Sequence, residues 1–423
     1  MGKISDAASG LMNRHEFWYI TALTCSVNFI DGWYSTAPGI SNPNIIAELL
    51  GGDSAFWAYL LGIAGVANFA TIGMGILSDY IGRKKMELLL IWGMFAGGAI
   101  MYFAGFSWQV CLLVYMMEYP FYLCNLWSVP LAENVDPKKR GQAQSIANMI
   151  GSLIPLSSVL QPYIFNNFGW RAFWVFSLPM CIVATILWIP MKESYVYLRM
   201  KKRRAEARAR GESAPRFAFR DIIKGEYGKA FIVGTVWMFM WNFVGRSTAW
   251  DAYLVRTIYG QSVGFWADLA LISTFTTVVG YAATMLSDRI GRKTFFLAWA
   301  VGDLFVMTLW GLLPLYWGAD VFIWLYPLKR AVHFFILPIL FMYPVETMPT
   351  HVRGTAAGFA NGLGRIAYIV GPMAIGFMFD VLGWNQMNTI GYMYVAMVAP
   401  VIIGIILQYV INPPEPARKE VAA

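Results

Sequence analysis

Several ionisable side chains interrupt long apolar stretches of this chain: Asp31, Glu118, Arg246, Asp303, Lys329, Arg330, His333 and Arg365. A charge at the centre of a hydrocarbon span costs about 2.5–3.5 kcal/mol on insertion scales, so each needs a use. Apolar burial favours the neutral form of a carboxyl, which suits a group that takes up and releases a proton. Asp31 and Glu118 are therefore candidate proton-coupling residues. A guanidinium keeps its charge and presents a planar fork that grips a carboxylate with two bonds. Arg365, together with Arg246, Arg330 and His333, is a candidate for holding an anionic substrate. Arg330 and His333 are three apart and share a helix face. Tyr34 beside Asp31, and Tyr368 three residues after Arg365, add rings able to stack on a substrate or cage a cation. Arg246, Lys329 and Arg330 fall nearer the expected outer leaflet, where snorkelling competes with a place on the pathway.

The elements that carry these residues follow from composition. Of 423 residues, 58% are hydrophobic and 13% charged, against about 25% charged in soluble domains. Runs near the roughly 20 residues needed to cross a bilayer occur at 17–40, 54–78, 86–106, 108–131, 141–165, 171–190, 230–250, 264–286, 294–315, 320–345, 354–380 and 386–411. The expected fold is an all-α membrane protein of twelve transmembrane helices. Cys25, Cys111, Cys124 and Cys181 all lie in apolar runs, with neither a disulfide framework nor metal spacing. No metal and no cofactor are expected. No P-loop, HExxH or GxSxG is present, and the three histidines are scattered, so the chain does not read as an enzyme. The long polar stretch 191–229 contains RMKKRRAEARARGESAPR. It reads as a basic cytoplasmic linker at the membrane surface and not as a nucleic-acid site. With the N-terminus inside, 26 of the 32 Lys and Arg fall in cytoplasmic segments, as the positive-inside rule requires. The net charge of +8 is thus a topology signal.

Two motifs repeat. LSDYIGRKK at 77–85 returns as LSDRIGRK at 286–293, so that Asp79, Gly82 and Arg83 match Asp288, Gly291 and Arg292. ENVDPKKRGQA at 133–143 returns as ETMPTHVRGTA at 346–356, so that Glu133 and Arg140 match Glu346 and Arg353. The offsets are nearly equal and imply two homologous halves. The expected division is 1–190 for the first six-helix half, 191–229 for the linker, 230–411 for the second half and 412–423 for a cytoplasmic tail. These charged helix ends can pair and unpair as the halves rock, so all eight charged residues are candidate gating groups.

Parallel six-helix halves with these turns resemble the major facilitator superfamily. DGWYSTAPG at 31–39 resembles the helix 1 signature DGxDxxxxG of its aromatic acid/metabolite:proton symporter branch, and GLGRIAYIVGP at 362–372 resembles the helix 11 signature GxGRxGxIxGP. PMKESYVYL at 190–198 is similar to the PES-type box after helix 6. The resemblance implies a proton-coupling role for Asp31 and an anion-binding role for Arg365. Tyr34 stands where the signature has a second Asp, Ala367 where it has glycine, and Leu113 where related branches carry a helix 4 arginine. The function expected is proton-coupled symport of a small organic anion or zwitterion by alternating access. The alternatives are a sugar or organic-cation carrier of the same fold, and a non-transporting membrane sensor. The expected partners are substrate, protons and membrane lipids. The expected setting is a monomer in the cell inner (plasma) membrane with both termini cytoplasmic.

Overall fold

Gly82 and Gly291 adopt the same backbone conformation, φ 98° and 92°, at the two copies of the basic turn. A side chain there would be strained, which is why each copy keeps a glycine between its aspartate and its cations. The protein is seen in a computed structural model. It describes residues 14–415 except 128, 131–139, 152, 154–156, 192, 194–196, 199–200, 203–204, 207–208, 211–221 and 349–352.

The first half comprises α1 (Arg14–Leu49), α2 (Ser54–Ala64 and Ala70–Ile81, joined by a 3-10 turn), α3 (Arg83–Ala104), α4 (Trp108–Tyr122), α5 (Arg140–Gly151 and Ser157–Phe168) and α6 (Leu178–Trp188). The second comprises α7 (Gly225–Thr248, extended by Asp251–Tyr253), α8 (Val263–Ala283), α9 (Arg292–Trp317), α10 (Phe322–Phe334 and Leu337–Thr347), α11 (Arg353–Gly364 and Ala367–Asp380) and α12 (Ile390–Val398 and Val401–Ile411). Each falls on an expected span, with shifted ends. The first span was expected to stop at 40, yet α1 continues to Leu49 through Pro38 and Pro43. Neighbouring helices can re-satisfy the carbonyl that an internal proline frees four residues back; the same stretch is tied to α4, where the Tyr115 hydroxyl donates to the Pro38 carbonyl at 3.2 Å. α7 begins at Gly225, five residues before the expected start, so the linker gives up its last turn.

Among the described residues, eight spans are long and apolar enough to cross a membrane. The other four are α1, α4, α5 and α7, which contribute Asp31, Tyr119, Asn148 and Arg246 to one internal cavity. The face where α1 begins is here called the terminal face, the opposite one the distal face. On the distal side the halves are hydrogen-bonded: Asn42 Nδ2 donates to the Ala249 carbonyl at 3.3 Å, and Arg256 to Asn44 Oδ1 at 3.4 Å. There α2 also crosses α11 at Gly62 and Gly65, so closely that a Cβ on Gly65 would lie 2.2 Å from the Tyr368 carbonyl oxygen.

Candidate functional site

The cavity between the halves, about 290 Å³, is lined by Asp31, Arg246, Arg330 and Arg365. Asp31, Arg246 and Arg330 project from continuous helices, and a helix interruption places Arg365. α11 breaks between Gly364 and Ala367, and the break carries Arg365. Irregular backbone at membrane depth is tolerated where it borders a cavity or other protein. The Arg365 Nε donates to Asn361 Oδ1 one turn earlier at 2.9 Å, while Nη1 is buried without a partner. α4 ends at Tyr122, and Asn125 takes a left-handed conformation, φ 52°, which asparagine tolerates. The turn brings Trp127 to the cavity beside Asp31, whose carboxyl also faces Arg365.

Aromatic rings fill the spaces between the charges. The Arg246 guanidinium lies 3.5 Å from the centre of the Tyr368 ring, and the Arg365 guanidinium 5.9 Å from it. Tyr119 meets Tyr368 edge-on at 5.7 Å, joining α4 of one half to α11 of the other. The Arg330 guanidinium stacks 4.1 Å from Phe334. Trp241, Tyr281 and Tyr326 line the same space. Planar guanidiniums on aromatic faces are favourable where water is excluded.

Other sequence candidates lie behind this wall. Tyr34 is fully buried, and its hydroxyl is 2.6 Å from Ser177 Oγ and 3.1 Å from the Trp174 carbonyl, so the ring points at α6. Glu118 is fully buried against α3, its carboxylate filling the notch left by Gly97 beside the Gly98 backbone. His333 is 3.1 Å from Asp303 Oδ2 on α9. It stands behind Trp241, which stacks on it at 5.5 Å and donates Nε1 to its carbonyl at 3.0 Å. Lys329 neither reaches the cavity nor snorkels. It is fully buried, with Nζ 2.5 Å from Asp251 Oδ1, which also accepts from the Tyr394 hydroxyl at 3.0 Å. Consecutive residues sit about 100° apart on a helix, so Arg330 reaches the cavity while Lys329 faces α7 and α12.

That buried pair carries a prediction. Lys329→Met should cost about 3–5 kcal/mol, because it strands the Asp251 carboxylate in apolar surroundings. Lys329→Met/Asp251→Leu should recover most of the loss. Melting temperatures of the purified protein in detergent check this, and a double variant no more stable than the single one contradicts it.

At the terminal face the two basic turns are built alike. The Arg83 backbone N–H donates to Glu193 Oε1 at 2.8 Å, and Arg83 Nη1 to Ser78 Oγ at 2.8 Å. In the second half the Arg292 backbone N–H donates to Glu415 Oε1 at 2.6 Å, and Arg292 Nη1 to Ser287 Oγ. Arg292 also grips Glu346 with two bonds, 2.9 and 3.1 Å. Sequence reading missed Glu193, Glu415 and Asp251. The signal for the first two was a third repeat, IPMKE at 189–193 against INPPE at 411–415, too short to stand out. The side chains of Asp79, Arg140, Asp288 and Arg353, and all of Glu133, lie outside the described residues.

Known proteins share this plan. The chain is 26% identical over 333 residues to the probable 4-methylmuconolactone transporter of Cupriavidus pinatubonensis, covering 75% of this chain and 73% of that one. It is 24% identical over 317 residues to the putative niacin/nicotinamide transporter NiaP of Bacillus subtilis, covering 71% and 74%. The crystal structure of a D-xylose-proton symporter superposes with a TM-score of 0.72 at 17% identity, covering 95% of this chain and 98% of that one. The Major Facilitator Superfamily model matches residues 23–372. The twelve spans, the doubled turns and this match make the chain a multi-pass membrane transporter belonging to the Major Facilitator Superfamily.

Proposed function

We propose that this chain is a proton-coupled symporter of a small organic anion, working by alternating access across the cell inner (plasma) membrane. The observation that carries the reading is the charge balance of the cavity: among the described residues, Arg246, Arg330 and Arg365 share its wall with one carboxylate, Asp31. Uncompensated guanidiniums at this depth are costly, so an anion is the natural occupant. Arg365 would take the substrate carboxylate with its free Nη1, and Tyr368 and Arg246 would cover the substrate from one side. A sugar or an organic cation would leave the surplus charge unanswered. The names of the two relatives, transporters of a muconolactone and of niacin, support an acid or its close derivative.

Asp31 is the proposed proton carrier because it is the acid on the cavity wall, facing Arg365. Its carboxyl can exchange Arg365 for a proton as substrate arrives. Glu118 is the rival, a fully buried carboxyl. Asp31→Asn should abolish uphill uptake into proteoliposomes under an imposed pH gradient, yet keep substrate exchange between the two sides. Uphill uptake surviving in Asp31→Asn but lost in Glu118→Gln would move the proton site to Glu118. Absence of any uptake or exchange by the unaltered protein would favour a sensor.

The gating reading rests on the repeated terminal-face charges of the two halves; the described pair, Arg292 with Glu346, ties α9 to α10 within the second half. Alternating access then uses 1–190 and 230–411 as rocking units joined by the linker 191–229, with 412–423 as a tail. Both termini lie in the cytoplasm on this reading, and the chain acts as a monomer among membrane lipids.

A further inference from the structure

We infer that the site is built for a dicarboxylate, with Arg330 holding the second carboxylate. This rests on the organic-anion reading above and names its substrate class. Among the described residues the wall carries three guanidiniums and one carboxylate. Elsewhere in the second half the buried Lys329 is matched by Asp251, and Asp303 is bonded to His333. The surplus on the wall is therefore two positive charges while Asp31 is ionised. A monoanion leaves one of them unanswered, and a dianion answers both. When Asp31 takes up a proton the surplus rises, which widens the preference.

The guanidiniums also fall into two groups in space. Arg246 and Arg365 flank the same ring, Tyr368, at the seam with α4. Arg330 belongs to another patch. It lies on Phe334 and interacts with Tyr281 of α8 and Tyr326 of α10. Its Nε is buried without a hydrogen-bond partner among the described residues, as are Arg365 Nη1 and Arg246 Nε. Two groups of guanidiniums on one cavity suit two carboxylates at opposite ends of a short, flat spacer.

Matched pairs of probes test this with the full chain in proteoliposomes: fumarate against crotonate, and terephthalate against benzoate. Each pair differs by one carboxylate. Binding is read by competition and by thermal shift at pH 7. The dicarboxylate of at least one pair should bind about tenfold tighter or more, the increment expected of a charge-assisted contact. In Arg330→Gln that ratio should collapse toward one through loss on the dicarboxylate side, and Arg330→Lys should restore part of it. Equal or tighter binding of both monocarboxylates overturns the dicarboxylate inference and leaves the organic-anion reading intact. Binding of neither kind of carboxylate overturns both. An unchanged ratio in Arg330→Gln removes Arg330 from the second subsite.

Discussion

Replacing Gly65 with valine should stop transport while leaving ligand binding in place. The reason is contact with backbone. A Cβ on Gly65 would stand 2.2 Å from the Tyr368 carbonyl oxygen, 2.6 Å from its carbon and 2.9 Å from the Ile369 nitrogen. A side chain could swing away from such a contact, but a helix backbone in a packed bundle cannot. Gly62, three residues earlier, is less tight: a Cβ there meets the Met373 side chain at 2.8 Å and the Ile369 carbonyl oxygen at 3.1 Å. Both residues are on α2 of the first half, and their neighbours are on α11 of the second. The overlap is therefore paid only when the distal side closes. Alternating access needs that closure once in every cycle. Transport should fall by about 100-fold or more, the effect of ~2.7 kcal/mol placed on one of two states. Gly73→Val on the same helix is the control, since a Cβ there meets nothing within 4 Å. A single cysteine at Thr248, which lines the cavity, should react faster from the distal side in the Gly65→Val background. Near-normal uptake by Gly65→Val would show that the α2–α11 crossing does not have to close.

How much of this was open to sequence reading depends on what each residue answers to. The twelve spans answer to the length of apolar runs, which gives their number but not their ends: α1 runs on to Leu49 through two prolines and α7 starts at Gly225. The paired turns answer to backbone geometry: Gly82 and Gly291 are needed for φ near 90°, and a glycine requirement survives in sequence. Arg365 was legible because depth in a span follows from counting residues. Partners were not. Tyr34 lies near Asp31 along the helix, but Ser177 and the Trp174 carbonyl draw its hydroxyl toward α6. His333 shares a face with Arg330, but Asp303 on α9 claims it and Trp241 covers it. Lys329 looked free to snorkel because Asp251 is 78 positions away in the chain. Helical periodicity gives the direction of a side chain to within one neighbour, and which neighbour receives it is a property of packing between helices.

Arg365 should prove the residue on which ligand binding most depends. Arg365→Ala should weaken the best carboxylate ligand by about 100-fold or more, and Arg365→Lys by about tenfold or more. Lysine keeps the charge but presents a point, not a fork, and it cannot occupy the Asn361 oxygen through Nε while offering Nη1 to a ligand. In the structure that division is already made: Nε is held at 2.9 Å by Asn361 Oδ1, and the buried Nη1 is unspent. Asn361 thus aims the fork, and Asn361→Ala should cost affinity without removing any charge. Loss of binding in Arg365→Ala has a competing cause, because Asp31 loses the cation that faces it and the fold can suffer. The double variant Asp31→Asn/Arg365→Ala separates the two. It removes the stranded carboxylate, so the melting temperature should recover while affinity does not. If the double variant regains affinity, the arginine serves Asp31 and not the substrate. If Arg365→Ala binds its best ligand as the unaltered protein does, the anion must sit elsewhere on the wall, with Arg246 and Arg330 as the remaining guanidiniums that line it.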